Sequence, residues 1–249
     1  MPGADRLPPV RRGLASLLLI ACLAGLPGPR AAGASGVPLS AAERSAWFER
    51  QRARQAGIRS FRATLIQKRR SPLLVREAVS EGRFLFGRPD RFRWETETPE
   101  RRIVVADGST LTVYLPASKE AERYDQRDQS AARMALELLA TGLGGSPADL
   151  ERRFEVGASR KDGKLEVTLV PKARWFRRAV ASITVVQGEE SPLPERVVVT
   201  GTRGDRTETT LRDVSVNPPL PADAFDLKLP PGVHVFDAKE RAEHGVDAP

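Results

Sequence analysis

The chain has one cysteine, Cys22, in 249 residues, and two histidines, His234 and His244. A lone cysteine allows no internal disulfide and no cysteine-built metal site. Neither histidine has a second ligand at metal-binding spacing, and His244 lies in a polar C-terminal stretch that would hold a general base poorly. There is no G-x-S-x-G turn and no P-loop. Gly142-Leu143-Gly144-Gly145 lacks the Lys-Ser/Thr that would follow and reads as a helix terminator. The carboxylate pairs Glu95/Glu97 and Glu189/Glu190 fall on strand faces or turns and read as solvated. No catalytic residue, metal or cofactor is therefore expected. Aromatics make up only 6% and the arginines are scattered, which argues against a nucleic-acid partner. The formal charge of +8 fits a solvated basic surface or, alternatively, weak attraction to anionic membranes.

Long apolar runs are also missing after the first thirty or so positions. The one run, GLASLLLIACLAGL (13–26), follows Arg6, Arg11 and Arg12 and precedes small residues and prolines. That is the layout of a secretory signal peptide, and the run is short for a membrane span. Cleavage after Ala34 would discard Cys22. Leu19-Ile20-Ala21-Cys22 also resembles a bacterial lipobox, in which the cysteine would become a lipidated N-terminus. Residues 1–34 hold four arginines and one aspartate, so their removal leaves a charge of +5. The expected layout is a signal peptide at 1–34, one domain at 35–237 and a polar, mobile tail at 238–249.

What is present is alternation. Ser40-Ala41-Ala42-Glu43 forms a capping box, opening a helix with Trp47 and Phe48 that runs to about Gly57. Strands are predicted at 60–70, 75–87, 90–97, 101–107 and 109–115, with Asp107-Gly108 as a hairpin turn. Residues 126–143 form a helix apolar around nearly its whole circumference, which requires burial on several sides. Ser146-Pro147 caps a short helix running through Leu150 and Phe154. Strands resume at 164–170, 179–186, 195–202 and 206–216. Short strands with tight turns indicate a curved antiparallel sheet in one mainly β, α+β domain.

In GRPDRFRWETETPE (87–100), Phe92 and Trp94 point one way while Arg91, Arg93 and Glu95 point the other. Phe84 and Phe86 repeat the pattern, and Arg88 stands at the bend between the two pairs. Helices over such a sheet would make either a lid above an apolar cavity or a packed core, and periodicity does not separate the two.

Phe61 with Gln67, Gly82 through RPDRFRW, Glu97-Thr98-Pro99, VVADGSTLTVYLP (104–116), LVPKA (169–173), Asn217, Phe225 and PPGVHV (230–235) occur in this order. Together they resemble the LolA-like family, periplasmic carriers that ferry lipoproteins to the outer membrane of Gram-negative bacteria. The resemblance spans about residues 55–236. It implies an unclosed antiparallel β-barrel with a helical lid and an acyl-chain cavity, in a monomeric, non-enzymatic periplasmic protein. The partners it implies are lipoprotein acyl chains or another amphiphile, an inner-membrane lipoprotein-releasing transporter and an outer-membrane acceptor. On this sequence the lipid-binding wall would comprise Leu65, Phe84, Phe86, Phe92, Trp94, Val105 and Val113, with Met134 and Leu138 from the lid. The family's latch arginine falls on Arg88. Two departures leave the cargo open, glycolipids included. Thr112 stands where a tryptophan is common, and arginines crowd residues 152–178, among them Arg174, Arg177 and Arg178. An outer-membrane receptor anchored through Cys22 and an envelope-stress lipid-sensing domain are the alternative functions.

Overall fold

The first helix begins where the capping box places it. Ser40 accepts from Glu43 N at 3.3 Å, and the Glu43 carboxylate accepts from Ser40 N at 2.8 Å. These reciprocal bonds satisfy donors that a helix start leaves free. The structure is a computed structural model that describes residues 36–72, 74–125 and 147–237. The proposed leader, the predicted 126–143 helix with Met134 and Leu138, and the tail lie outside the described residues.

Among the described residues, thirteen strands form one sheet. They are β1 (Val37–Pro38), β2 (Ser60–Arg70), β3 (Ala78–Gly87), β4 (Arg91–Thr98), β5 (Arg102–Ala106), β6 (Thr110–Leu115) and β7 (Glu120–Asp125), then β8 (Phe154–Lys161), β9 (Lys164–Pro171), β10 (Val180–Gly188), β11 (Arg196–Gly201), β12 (Arg206–Val216) and β13 (His234–Asp237). Among the described residues they are accompanied by the helices α1 (Ala41–Ala56), α2 (Pro147–Arg153) and α3 (Arg174–Arg177).

The sheet order is β1-β8-β9-β10-β11-β12-β2-β3-β4-β5-β6-β7-β13, with β1 and β13 as free edges, so the barrel is unclosed. All pairs are antiparallel except β13 with β7. The two meanders, β2–β7 and β8–β12, join where β2 pairs with β12, with Leu65 opposite Leu211.

All nine predicted strands are present, β2 and β12 with the expected ends and the other seven with shifted ones. β1, β7, β8, β13 and α3 were not anticipated. Phe154, expected at the end of a helix, opens β8 with its ring buried. In β7, EAERYD offers no clean alternation of apolar residues, so its pairing with β6 supplies the order.

Both faces of the sheet are covered. The inner face forms one core with Trp47 and Phe48 of α1, Leu150 of α2 and Phe176 of α3. The outer face carries a smaller cluster of Ile103, Val105, Tyr114, Ala121 and Phe225, packed against Leu220, Leu227 and Leu229. The chain after β12 thus crosses back over the outer face. Among the described residues no helix is long and apolar enough to cross a membrane.

Candidate functional site

Period-two geometry sends Phe61 of β2, Phe84 and Phe86 of β3, and Phe92 and Trp94 of β4 to the inner face. The register seats them side by side, with Phe61 opposite Phe86, Phe86 opposite Phe92 and Phe84 opposite Trp94. Ring centroids lie 5.4 Å apart for Phe61–Phe86, 5.6 Å for Phe61–Phe84 and 6.0 Å for the stacked pair Phe84–Phe92. Leu65, Phe84, Phe86, Phe92, Trp94 and Val113 all join the same buried cluster. Phe61, fully buried at its centre, is a wall residue that the resemblance alone did not assign to the wall. Its alternation with Ala63 and Leu65 was the signal that could have placed it there.

Val105 lies on the other face. It pairs with Arg93 and belongs to the outer cluster with Phe225, whereas Val104, opposite both Trp94 and Val113, faces inward. Every residue of Ile103-Val104-Val105-Ala106 is apolar because both sides of β5 are buried, so the sequence pattern carries no parity. Glu95 needs the same correction. Its carboxylate is mostly buried and accepts from Arg93 Nε at 2.6 Å and Arg83 Nη2 at 3.3 Å, instead of standing solvated. The covering chain after β12 removes it from water; Arg93 also donates to the Asp226 carbonyl at 3.0 Å.

Close backbone approach explains Gly82. An irregularity between Glu81 and Gly82 brings β3 against β4, and a Cβ there would lie 2.1 Å from the Glu95 carbonyl oxygen. At the other end of β3, a Cβ on Gly87 would meet the Phe225 ring at 2.8 Å, over which Arg91 also sits, 5.0 Å from the centroid. Gly87, Arg91 and Phe225 thus belong to one packing arrangement.

Arg88 reaches the C-terminal end of α1. Nη2 donates to the Gln55 carbonyl at 2.8 Å and Nε to the Ile58 carbonyl at 2.5 Å, while Arg88 N donates to Arg59 O at 2.8 Å. The last carbonyls of a helix lack intrahelical donors and carry the negative end of its dipole, so a cation there is favourable. Asn217 fastens the same junction. Its Oδ1 accepts from Arg59 N at 2.7 Å and its Nδ2 donates to Gly57 O at 2.9 Å. The helix expected to take the latch lies outside the described residues, so the carbonyls Arg88 holds here are those of α1 and the link after it.

A small cavity of about 160 Å³ opens on the inner face beside Trp94 and Val104, edged by Gln67, Arg69, Thr96 and Arg102. Ligand pockets typically hold about 300–1,000 Å³, so this cavity is smaller than most of them. A larger groove of about 600 Å³ lies under the crossing chain, among Arg62, Arg83, Leu85, Arg93 and Leu220. Among the described residues no cluster of His, Cys, Asp or Glu could hold a metal ion.

This chain is similar to an outer-membrane lipoprotein carrier protein of Cupriavidus necator, 31% identical over 166 residues, covering 64% of this chain and 71% of that one. The same name is carried by a Chromohalobacter salexigens protein, 27% identical over 200 residues, covering 80% of this chain and 91% of that one. Among solved structures, a LolA superfamily protein from Nitrosomonas europaea aligns with a TM-score of 0.41 at 11% identity, covering 73% of this chain and 96% of that one. The family described as outer membrane lipoprotein carrier protein LolA matches residues 56–228. With strands β2 to β12, the inward aromatic row and the Arg88 bend inside that span, the chain belongs to the LolA family of outer membrane lipoprotein carrier proteins.

Proposed function

We propose that the protein is a non-catalytic periplasmic carrier that takes lipoprotein acyl chains, or those of a related amphiphile, onto its inner face and delivers them to the outer membrane. One observation carries this reading: the aromatic row from Phe61 to Trp94 shares its core with Trp47 and Phe48 of α1, and Arg88 holds the end of that helix. A cover fastened by a few polar contacts over apolar surface can exchange its own side chains for a ligand's. Burying an acyl chain contributes about 0.8 kcal/mol per CH₂. Returning Trp47 and Phe48 to the aromatic row contributes about 1.5–3 kcal/mol for each side chain, which offsets part of that binding and favours release. The carrier takes cargo from an inner-membrane releasing transporter and gives it to an outer-membrane acceptor.

Lipid mass spectrometry of the protein purified from the envelope without harsh detergent tests this directly. Bound acylated cargo, and saturable binding of a labelled triacyl lipopeptide, are expected. Absence of both would sink the carrier. Leu19-Ile20-Ala21-Cys22 favours a second reading, a receptor of the same fold anchored at Cys22. Acyl mass on Cys22 would support the receptor, and a mature start near Ser35 the carrier.

A further inference from the structure

The arginine-rich stretch that departs from the family pattern occupies a defined place in the fold. Lys172, Arg174, Arg177 and Arg178 surround Trp175 in the connection between β9 and β10, which contains α3. The antiparallel register puts this connection at the same end of the sheet as those between β2 and β3, β4 and β5, and β11 and β12. Contacts make three of them continuous. Thr202 N donates to the Ala179 carbonyl at 3.2 Å and Thr202 Oγ1 to the Arg178 carbonyl at 2.9 Å. A Cβ on Gly204 would lie 3.5 Å from Pro72.

This rim exposes large apolar side chains. Trp175 is 51% exposed, Leu74 39% and Val75 fully. Trp175 is not loose, because it stacks on the buried Phe176 at 5.3 Å. The α3 connection, residues 172–179, contains no acidic side chain, while Arg76 and Arg203 lie in the neighbouring connections, which also hold Asp205 and Glu77, the latter paired with Arg70. Arg174, Arg177 and Arg178 form no ion pair with a described residue. The small inner-face cavity opens at this same end, where Arg69, Pro99 and Arg102 edge it.

We infer that this rim docks the protein onto an anionic lipid surface, with Trp175, Leu74 and Val75 entering the headgroup layer and the surrounding cations meeting lipid phosphates. A tryptophan with its ring at headgroup depth, ringed by arginines, matches the chemistry of a membrane–water interface. A merely solvated basic surface has no need of a fully exposed valine beside it. The purpose of docking rests on the carrier reading, since contact beside the cavity shortens an acyl chain's path through water.

Flotation with phosphatidylcholine vesicles, with and without phosphatidylglycerol, tests the inference on the protein purified from the soluble envelope fraction. Binding is expected only with phosphatidylglycerol and should weaken with salt. Arg174→Gln/Arg177→Gln/Arg178→Gln should lower partitioning on the order of a hundredfold, and Trp175→Ser on the order of tenfold. Trp47 and Trp94 are buried, so quenching of tryptophan fluorescence by brominated lipid should disappear in Trp175→Ser. Wild-type partitioning by both variants, or equal binding to neutral vesicles, overturns the docking rim. Both variants should keep lipopeptide binding in solution. Loss of that binding in the wild type would count against the carrier reading alone.

Discussion

Arg88 Nη2 donates to the Gln55 carbonyl at 2.8 Å and so ties the β3–β4 bend to the last turn of α1. Hydrogen bonds to a charged group contribute about 1.5–3 kcal/mol each. Arg88→Leu is expected to lose about 2 kcal/mol in urea unfolding, to accept lipopeptide, and to release it slowly because closure of α1 no longer helps expel it. Transfer to an acceptor at the wild-type rate would reduce Arg88 to a turn residue.

Phe92 is the test of the aromatic row. It stacks on Phe84 at 6.0 Å and is buried. Phe92→Glu should abolish lipopeptide binding, whereas Phe92→Leu, which keeps most of the apolar volume, should bind and lose about 1–2 kcal/mol. If Phe92→Glu no longer folds, as judged by circular dichroism, and Phe92→Leu binds no lipopeptide, the inner face is a packed core and not a site.

Gly82 admits no side chain. The Cβ of Gly82→Ala would lie 2.1 Å from a backbone oxygen that flexible atoms cannot clear. A loss above about 3 kcal/mol, or failure to fold, is expected in denaturant melts, at the upper end of overpacking effects. Gly163→Ala, at φ +71 with open space around it, should lose only about 1–2 kcal/mol. Equal losses for the two would contradict the close β3–β4 approach.

The β5–β6 turn gives a pH signature. Burial alone would raise the Asp107 carboxyl. Hydrogen bonds from Thr110 N, Ser109 N and Ser109 Oγ, each 2.8 Å, outweigh it and hold the group below its ordinary value of 3.8. A depressed carboxyl contributes stability that is complete above the unfolded-chain pKa and is lost as pH falls through the folded one. The stability gap between wild type and Asp107→Asn should therefore narrow from about pH 5 to about pH 2. A gap independent of pH would show that the turn does not depend on the charge.

The inward row of Phe84, Phe86, Phe92 and Trp94, the Ser40 cap and the Asp107-Gly108 turn were legible in the sequence, because each depends on interactions within a few residues. Alternation places side chains on faces wherever one face stays polar. It fails at Ile103-Val104-Val105-Ala106, where the chain after β12 returns to bury the outer face, so only tertiary packing assigned Val105 to Phe225 and Val104 to Trp94. The pairing of β2 with β12, the Arg88 contacts to Gln55 and Ile58, the bond from Thr202 to the Arg178 carbonyl and the exposure of Trp175 likewise join residues distant in the chain or depend on packing around them. No local periodicity encodes those partners. They are selected by the apolar area and hydrogen bonds gained when the whole sheet assembles.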